Sequence, residues 1–136
     1  METQIHTHMC YAEFGDILEA INRMDADVIS IENARSGDQT LRELAKFEYR
    51  REVGPGVYDV HSAVVPEAAE IGDKLHVFLQ HLDAGRIWVN PDCGLKTRDW
   101  EEVILALKNI VTSVRQLRDN IQEREYEYEL TSTGKY

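Results

Sequence analysis

The chain reads as an α/β protein built from four strand–helix units, and three observations carry that reading. Short runs with strand character alternate four times with stripes of apolar residues at i, i+3, i+4 and i+7, which is the helical period. Breaks and capping residues fall between the two patterns, as at Gly54-Pro55-Gly56 and at Asp99 with Glu102. The resulting order, βαβαβαβα, gives under the right-handed crossover rule a parallel sheet with its helices outside.

Each element follows from its residues. Ile5 to Cys10 reads as the first strand, and Phe14, Ile17, Leu18 and Ile21 as the apolar stripe of the first helix. Val28-Ile29-Ser30-Ile31 is a β-branched run that predicts a buried second strand ending at Glu32. Asp38 is a fair N-cap for a short helix through Leu41, Leu44 and Ala45. After the Gly-Pro-Gly break, Val57-Tyr58-Asp59-Val60-His61 reads as the third strand. Pro66 suits the first turn of a third helix, striped by Ile71, Leu75, Phe78, Leu79 and Leu82. Arg86 to Asn90 predicts the fourth strand, stopped by Pro91. A long helix then runs through Val103, Ile104, Leu107, Ile110, Val111, Val114 and Leu117. Residues 1–118 read as one domain and 119–136 as an acidic helix extension or flexible tail.

Composition narrows the function classes. At 136 residues the chain has length for one core, short of the about 250 residues of a complete βα barrel. A net charge of −10 disfavours nucleic acid and anionic membrane as partners, because both would repel it. Two cysteines far apart in the chain do not read as a secreted disulfide framework. No apolar run approaches about 18 residues and the N-terminus is polar within its first residues, so the expectation is a soluble, reduced, cytoplasmic domain.

The chemistry falls at strand ends. In His6-Thr7-His8-Met9-Cys10 the alternation of a strand puts His8 and Cys10 on one face. Imidazole nitrogen and thiolate sulfur are donors that zinc prefers. Glu32 ends the second strand, His61 the third, and Cys93 follows the fourth. In a parallel α/β sheet these ends share one rim. His8, Cys10, Glu32 and Cys93 would together make a tetrahedral N, S, O, S set for zinc, with a formal charge of about −1. Such an ion is a poor Lewis acid towards water but holds a soft thiolate well, so the logic favours alkylation of a thiol over hydrolysis.

Blander readings stand beside each residue. Cys10 and Cys93 could be small buried hydrophobes, Glu32 could cap the next segment, and His61 could be a core histidine oriented by Asp59. His6 is read as packed, Trp88 and Trp100 as core, and His76 and His81 as solvated. Lys96 and Arg98 could attract an anionic substrate or form a surface ion pair.

Four segments carry a family resemblance. Ile5 to Tyr11, Asp27 to Glu32, Gly54 to Ser62, and Trp88 to Arg98 resemble the C-terminal catalytic region of cobalamin-independent methionine synthase, over residues 4 to 118. The resemblance implies half of a TIM-type barrel, its last four βα units. It implies a zinc-dependent methyl transfer from 5-methyltetrahydrofolate to the zinc-bound thiolate of homocysteine, in methionine biosynthesis. By motif match His8, Cys10, Glu32 and Cys93 would be the zinc ligands and His61 the proton donor. Ala12, Gly15 and Asn33-Ala34 depart from the family's usual residues without touching a ligand.

The family residues that hold the homocysteine amino acid moiety and stack on the folate lie mostly upstream and have no counterpart here. Four parallel strands cannot close, so both edge strands, at Ile5 and Ile87, would present unpaired backbone groups. A symmetric dimer, a complementing half-barrel chain or another cover would answer this. Self-association is the favoured expectation, on the premise of an apolar inner face. Three functions follow: the methionine synthase type of methyltransferase, a related alkyl transfer to another thiol such as coenzyme M, or a zinc-binding fragment without turnover.

Overall fold

A computed structural model describes residues 3–10, 17–35 and 39–132. Three parallel strands, β1 (His6–Met9), β2 (Val28–Ile31) and β3 (Glu52–Pro55), lie in that order in one sheet. Their register sets His6 beside Val28 and Glu52, and His8 beside Ser30 and Gly54. The helices are α1 (Leu18–Asn22), α2 (Gln39–Lys46), α3 (Ala68–Leu79) and α4 (Trp100–Ser132). Phe14 and Asp38, read as helix start and N-cap, lie outside the described residues, as do Ala12, Gly15 and the last residues of the tail.

The third strand is not where the sequence pattern placed it. It runs over Glu52–Pro55, and the Val57 to His61 segment follows it as a rim loop. The Gly-Pro-Gly run is therefore the end of a strand rather than a break before one. Gly54 and Gly56 face residues of the fourth segment: a Cβ on Gly54 would stand 2.3 Å from Asn90 Oδ1, and one on Gly56 1.7 Å from Asp92 Oδ1. The glycines admit those side chains, which is a tertiary demand that local propensity does not reveal.

Pro55 explains the fourth strand. The amides of Glu52 and Gly56 donate to the carbonyls of Asp27, just before β2, and of Ile31 at its end, while that of Val57 donates to Asn90. Alternation turns the nitrogen of residue 55 towards the fourth segment, where proline has no proton to give. The expected strand Arg86 to Asn90 is accordingly reduced to two parallel bridges, Val53 with Ile87 and Gly56 with Asn90, preceded by a single 3₁₀ turn at Ala84–Arg86.

The core lies between the convex face of the sheet and the helices. Ile29, Ile31 and Val53 meet Leu41, Leu44, Ile71, Leu75, Phe78 and Ile110, all buried. Burial of a side chain as large as Phe78 contributes about 1.5–3 kcal/mol. Glu67 caps α3, its amide donating to the Glu70 carboxylate at 2.8 Å. Pro66 thus stands just outside the helix, where its carbonyl accepts from Asn109 at 2.9 Å. The Asp99 amide donates to Glu102 at 3.2 Å and opens α4 as the capping pattern predicts.

That last helix buries Val103, Ala106, Ile110 and Ser113, whereas Ile104, Leu107 and Val111 stay exposed. Trp88 and Trp100 are 43% and 78% exposed, so neither is core. The concave face, expected to be apolar, carries the polar His6, His8, Ser30, Glu52 and Asn90 beside a buried Val28. The sheet curls enough for the rings of His6 in β1 and Trp88 in the fourth segment to meet edge to face at 4.7 Å. His6 is exposed beside that ring rather than packed in a core. No helix among the described residues is long and apolar enough to cross a membrane.

Candidate metal centre

The rim at the carboxyl ends of the strands is where the chemical residues gather. His8 occupies the third position of β1 and Cys10 follows directly after the strand, both exposed on the concave side. Cys93 comes from the loop after the fourth segment and is half-buried. One donor atom from each of His8, Cys10 and Cys93 lies within 4.8 Å of the other two. An ion with bonds of about 2.0–2.3 Å could draw in such a set by small side-chain rotations.

The electrostatics agree with a cation-seeking site. The Cys10 thiol is held above its ordinary range, first by its hydrogen bond with Cys93, then by desolvation, and then by the charges of Cys93 and Glu32. Glu32, at the end of β2, does not join the group of His8, Cys10 and Cys93, although its charge is felt by Cys10 and by Asp92. Two sulfurs meet there within the field of a nearby carboxylate, and a bound cation would offset that negative charge.

His8 has a fixed orientation. Its Nδ1 lies 2.8 Å from Ser30 Oγ, and that hydroxyl donates its single proton to the Thr7 carbonyl at 3.2 Å. The serine must then accept from Nδ1–H, which leaves the Nε2 lone pair for a metal. Sequence reasoning passed over Ser30. Its signal was parity: it shares the concave face with Glu32 and sits directly across from His8.

His61 stands apart from the His8, Cys10 and Cys93 group, exposed in the rim loop between β3 and α3. Asp59 accepts the backbone amide of His61 at 2.9 Å and faces Arg35 at 3.6 Å, so no contact of Asp59 with the imidazole is seen. The loop runs alongside the cysteine segment, since the Asp92 amide donates to the Tyr58 carbonyl and Val60 packs on Gly94. Arg98 pairs with Glu102 at 2.6 Å, which is the ion-pair alternative, while Lys96 is exposed. His76 is exposed, its Nδ1 bonded to the Gly72 carbonyl, and His81 is half-buried. A separate groove of about 640 Å³ lies between α3, α4 and the fourth segment, lined by Leu75, Leu79, Trp88, Val114 and Leu117, and it contains none of the rim residues.

Comparison with known proteins finds matches over most of the chain. The family described as "Cobalamin-independent synthase, Catalytic domain" matches residues 1–116. A 5-methyltetrahydropteroyltriglutamate–homocysteine methyltransferase of Synechococcus sp. (strain JA-2-3B'a(2-13)) is 59% identical over 126 residues, covering 93% of this chain and 17% of the relative. The protein of the same name from Chelativorans sp. (strain BNC1) is 60% identical over 117 residues, 86% of this chain and 15% of its own. The chain thus spans about a sixth of the length of these relatives. Among solved structures, a B12-independent methionine synthase from Shewanella sp. W3-18-1, in complex with selenomethionine, superposes with a TM-score of 0.76 at 17% identity, covering 90% of this chain and 41% of that one.

Proposed function

The chain belongs to the family of cobalamin-independent synthase catalytic domains, and from that premise we propose that it supplies the metal-holding and proton-donating part of a methyltransferase. The substrates are 5-methyltetrahydropteroyltriglutamate as donor and homocysteine as acceptor. The meeting of His8, Cys10 and Cys93 on one rim carries this reading. In it, His8 through Nε2, the two cysteine sulfurs and the Glu32 carboxylate would hold one zinc ion. Zinc held there supplies a site that keeps an incoming thiol deprotonated and nucleophilic.

The chain's own residues do the rest of what falls to it. Ser30 keeps His8 in one tautomer and one orientation. His61 delivers a proton to the folate nitrogen as its bond to the methyl carbon breaks and the sulfur–carbon bond forms. Its exposure on the rim leaves the imidazole open to substrate and solvent. In this reading the substrate-holding residues lie outside these 136 residues, and a second copy or a complementing half-barrel chain is one source of them. The outer edge of β1, unpaired among the described residues, the weakly tied fourth segment and the exposed stripe of α4 support such a partner.

A second reading is favoured by the share of the relatives' length that the chain spans: a zinc-binding unit with no turnover by itself. Metal analysis paired with native mass tests both readings. The expected result is one zinc per chain and a mass above that of the monomer. Methionine formation from methyl-folate and homocysteine then separates the transferase from the inactive unit. Reduced, purified protein without stoichiometric zinc would sink both.

A further inference from the structure

The Asp92 carboxylate reaches across the sheet. Asp92 is 4% exposed, and its Oδ1 accepts the amides of Asn33 at 3.0 Å and Ala34 at 3.3 Å. Its own amide donates to the Tyr58 carbonyl at 2.9 Å. The carboxylate occupies the space over Gly56, where any Cβ would collide with Oδ1. It therefore passes above the end of β3 and joins the fourth segment to the loop after β2. Those segments are two strand spacings apart, about 9.6 Å.

The neighbours in sequence give the clamp its meaning. Asn33 follows Glu32, and Asp92 precedes Cys93. We infer that Asp92 is a positioning residue that fixes Glu32 and Cys93 relative to one another across β3, so that carboxylate and thiolate reach the same ion. The fourth segment needs such a tie, because Pro55 leaves it joined to β3 by two bridges. Two amides converging on one carboxylate oxygen make the tie directional. Gly56 is part of the device, since no other residue leaves room for it. The inference rests on the zinc reading above and adds to it a residue that touches no metal.

The test is zinc affinity of the full chain, measured by competition with a chromophoric chelator, for the unsubstituted protein and for Asp92→Ala, Glu32→Ala, the double variant and Asp92→Asn. Asp92→Ala is expected to bind about 10–100-fold more weakly. The double variant is expected to bind more tightly than the product of the two single losses would give, because Asp92 acts in part through Glu32 and the two sites are coupled. The cobalt(II) absorption spectrum of Asp92→Ala should depart from that of the unsubstituted chain, a change that a merely structural role would not produce. Asp92→Asn keeps the accepting oxygen and should stay within about threefold of the unsubstituted chain.

Wild-type affinity in Asp92→Ala would overturn the positioning role, and so would losses that multiply in the double variant. Should Asp92→Ala lose its far-UV circular dichroism, Asp92→Asn decides: a folded Asn variant that binds ten times more weakly overturns the inference. If the unsubstituted chain binds no zinc, the metal reading falls and the positioning role with it. If it binds zinc and Asp92→Ala binds equally, the positioning role alone falls.

Discussion

Ser30 accepts a hydrogen bond from His8 Nδ1 at 2.8 Å while giving its own proton to the Thr7 carbonyl. One hydroxyl on β2 thus decides which nitrogen of a β1 histidine carries the proton. Ser30→Ala should weaken zinc binding by about tenfold, the low end of what loss of a ligand's hydrogen-bond partner causes. Ser30→Thr keeps the hydroxyl and should lose less. Chelator competition measures both, and equal affinities in the Ala and unsubstituted chains would refute the role.

Removing a sulfur should be more severe. Cys93→Ser and Cys10→Ser each replace a sulfur of the proposed zinc set, and metal content per chain should fall to background by atomic absorption. The fold should survive chelation, because Leu41, Ile71 and Phe78 pack on the opposite face of the sheet. Far-UV circular dichroism before and after treatment with a chelator checks this, and a collapse to coil would contradict it.

His61 should separate turnover from binding. It lies outside the cluster of His8, Cys10 and Cys93, so His61→Asn should leave zinc affinity unchanged. In an active assembly the same substitution should slow methyl transfer by about 10²–10⁴, the usual contribution of a positioned general acid. Product formation followed by mass spectrometry reads it, and full activity would remove His61 from the mechanism.

The stability map should follow burial rather than hydrophobicity. Phe78→Ala should cost about 3–5 kcal/mol in urea unfolding, since Phe78 is fully buried. Trp100→Ala, at 78% exposure, should stay within about 0.5 kcal/mol. Trp100 stands at the head of the exposed stripe of α4, so a large loss there would imply a contact with another chain.

Much of this was legible in the residues themselves. Val28 to Ile31 is a strand with the bounds its β-branched run predicts, because a strand buried on both faces needs no partner to announce it. His8, Cys10 and Cys93 were gathered by topology alone, since parallel strands put their carboxyl ends on one side. The third strand was missed because Gly54 and Gly56 answer to Asn90 and Asp92, more than thirty residues away in sequence. Trp88 and Trp100 were assigned to the core because hydrophobicity says that a residue is apolar, not which face it occupies. Ser30 and Asp92 escaped notice because their roles are cross-strand hydrogen bonds, which exist only once register is known.

The proline at position 55 has one more consequence. A ladder missing a rung between its third and fourth rails lets the outermost rail breathe, and Cys93 lies just beyond that rail. Amides at 87–90 should exchange with deuterium sooner than those at 28–31. An ion that stitched Cys93 to His8 and Cys10 would quiet that motion, so the order of the last segment would report whether the centre is filled.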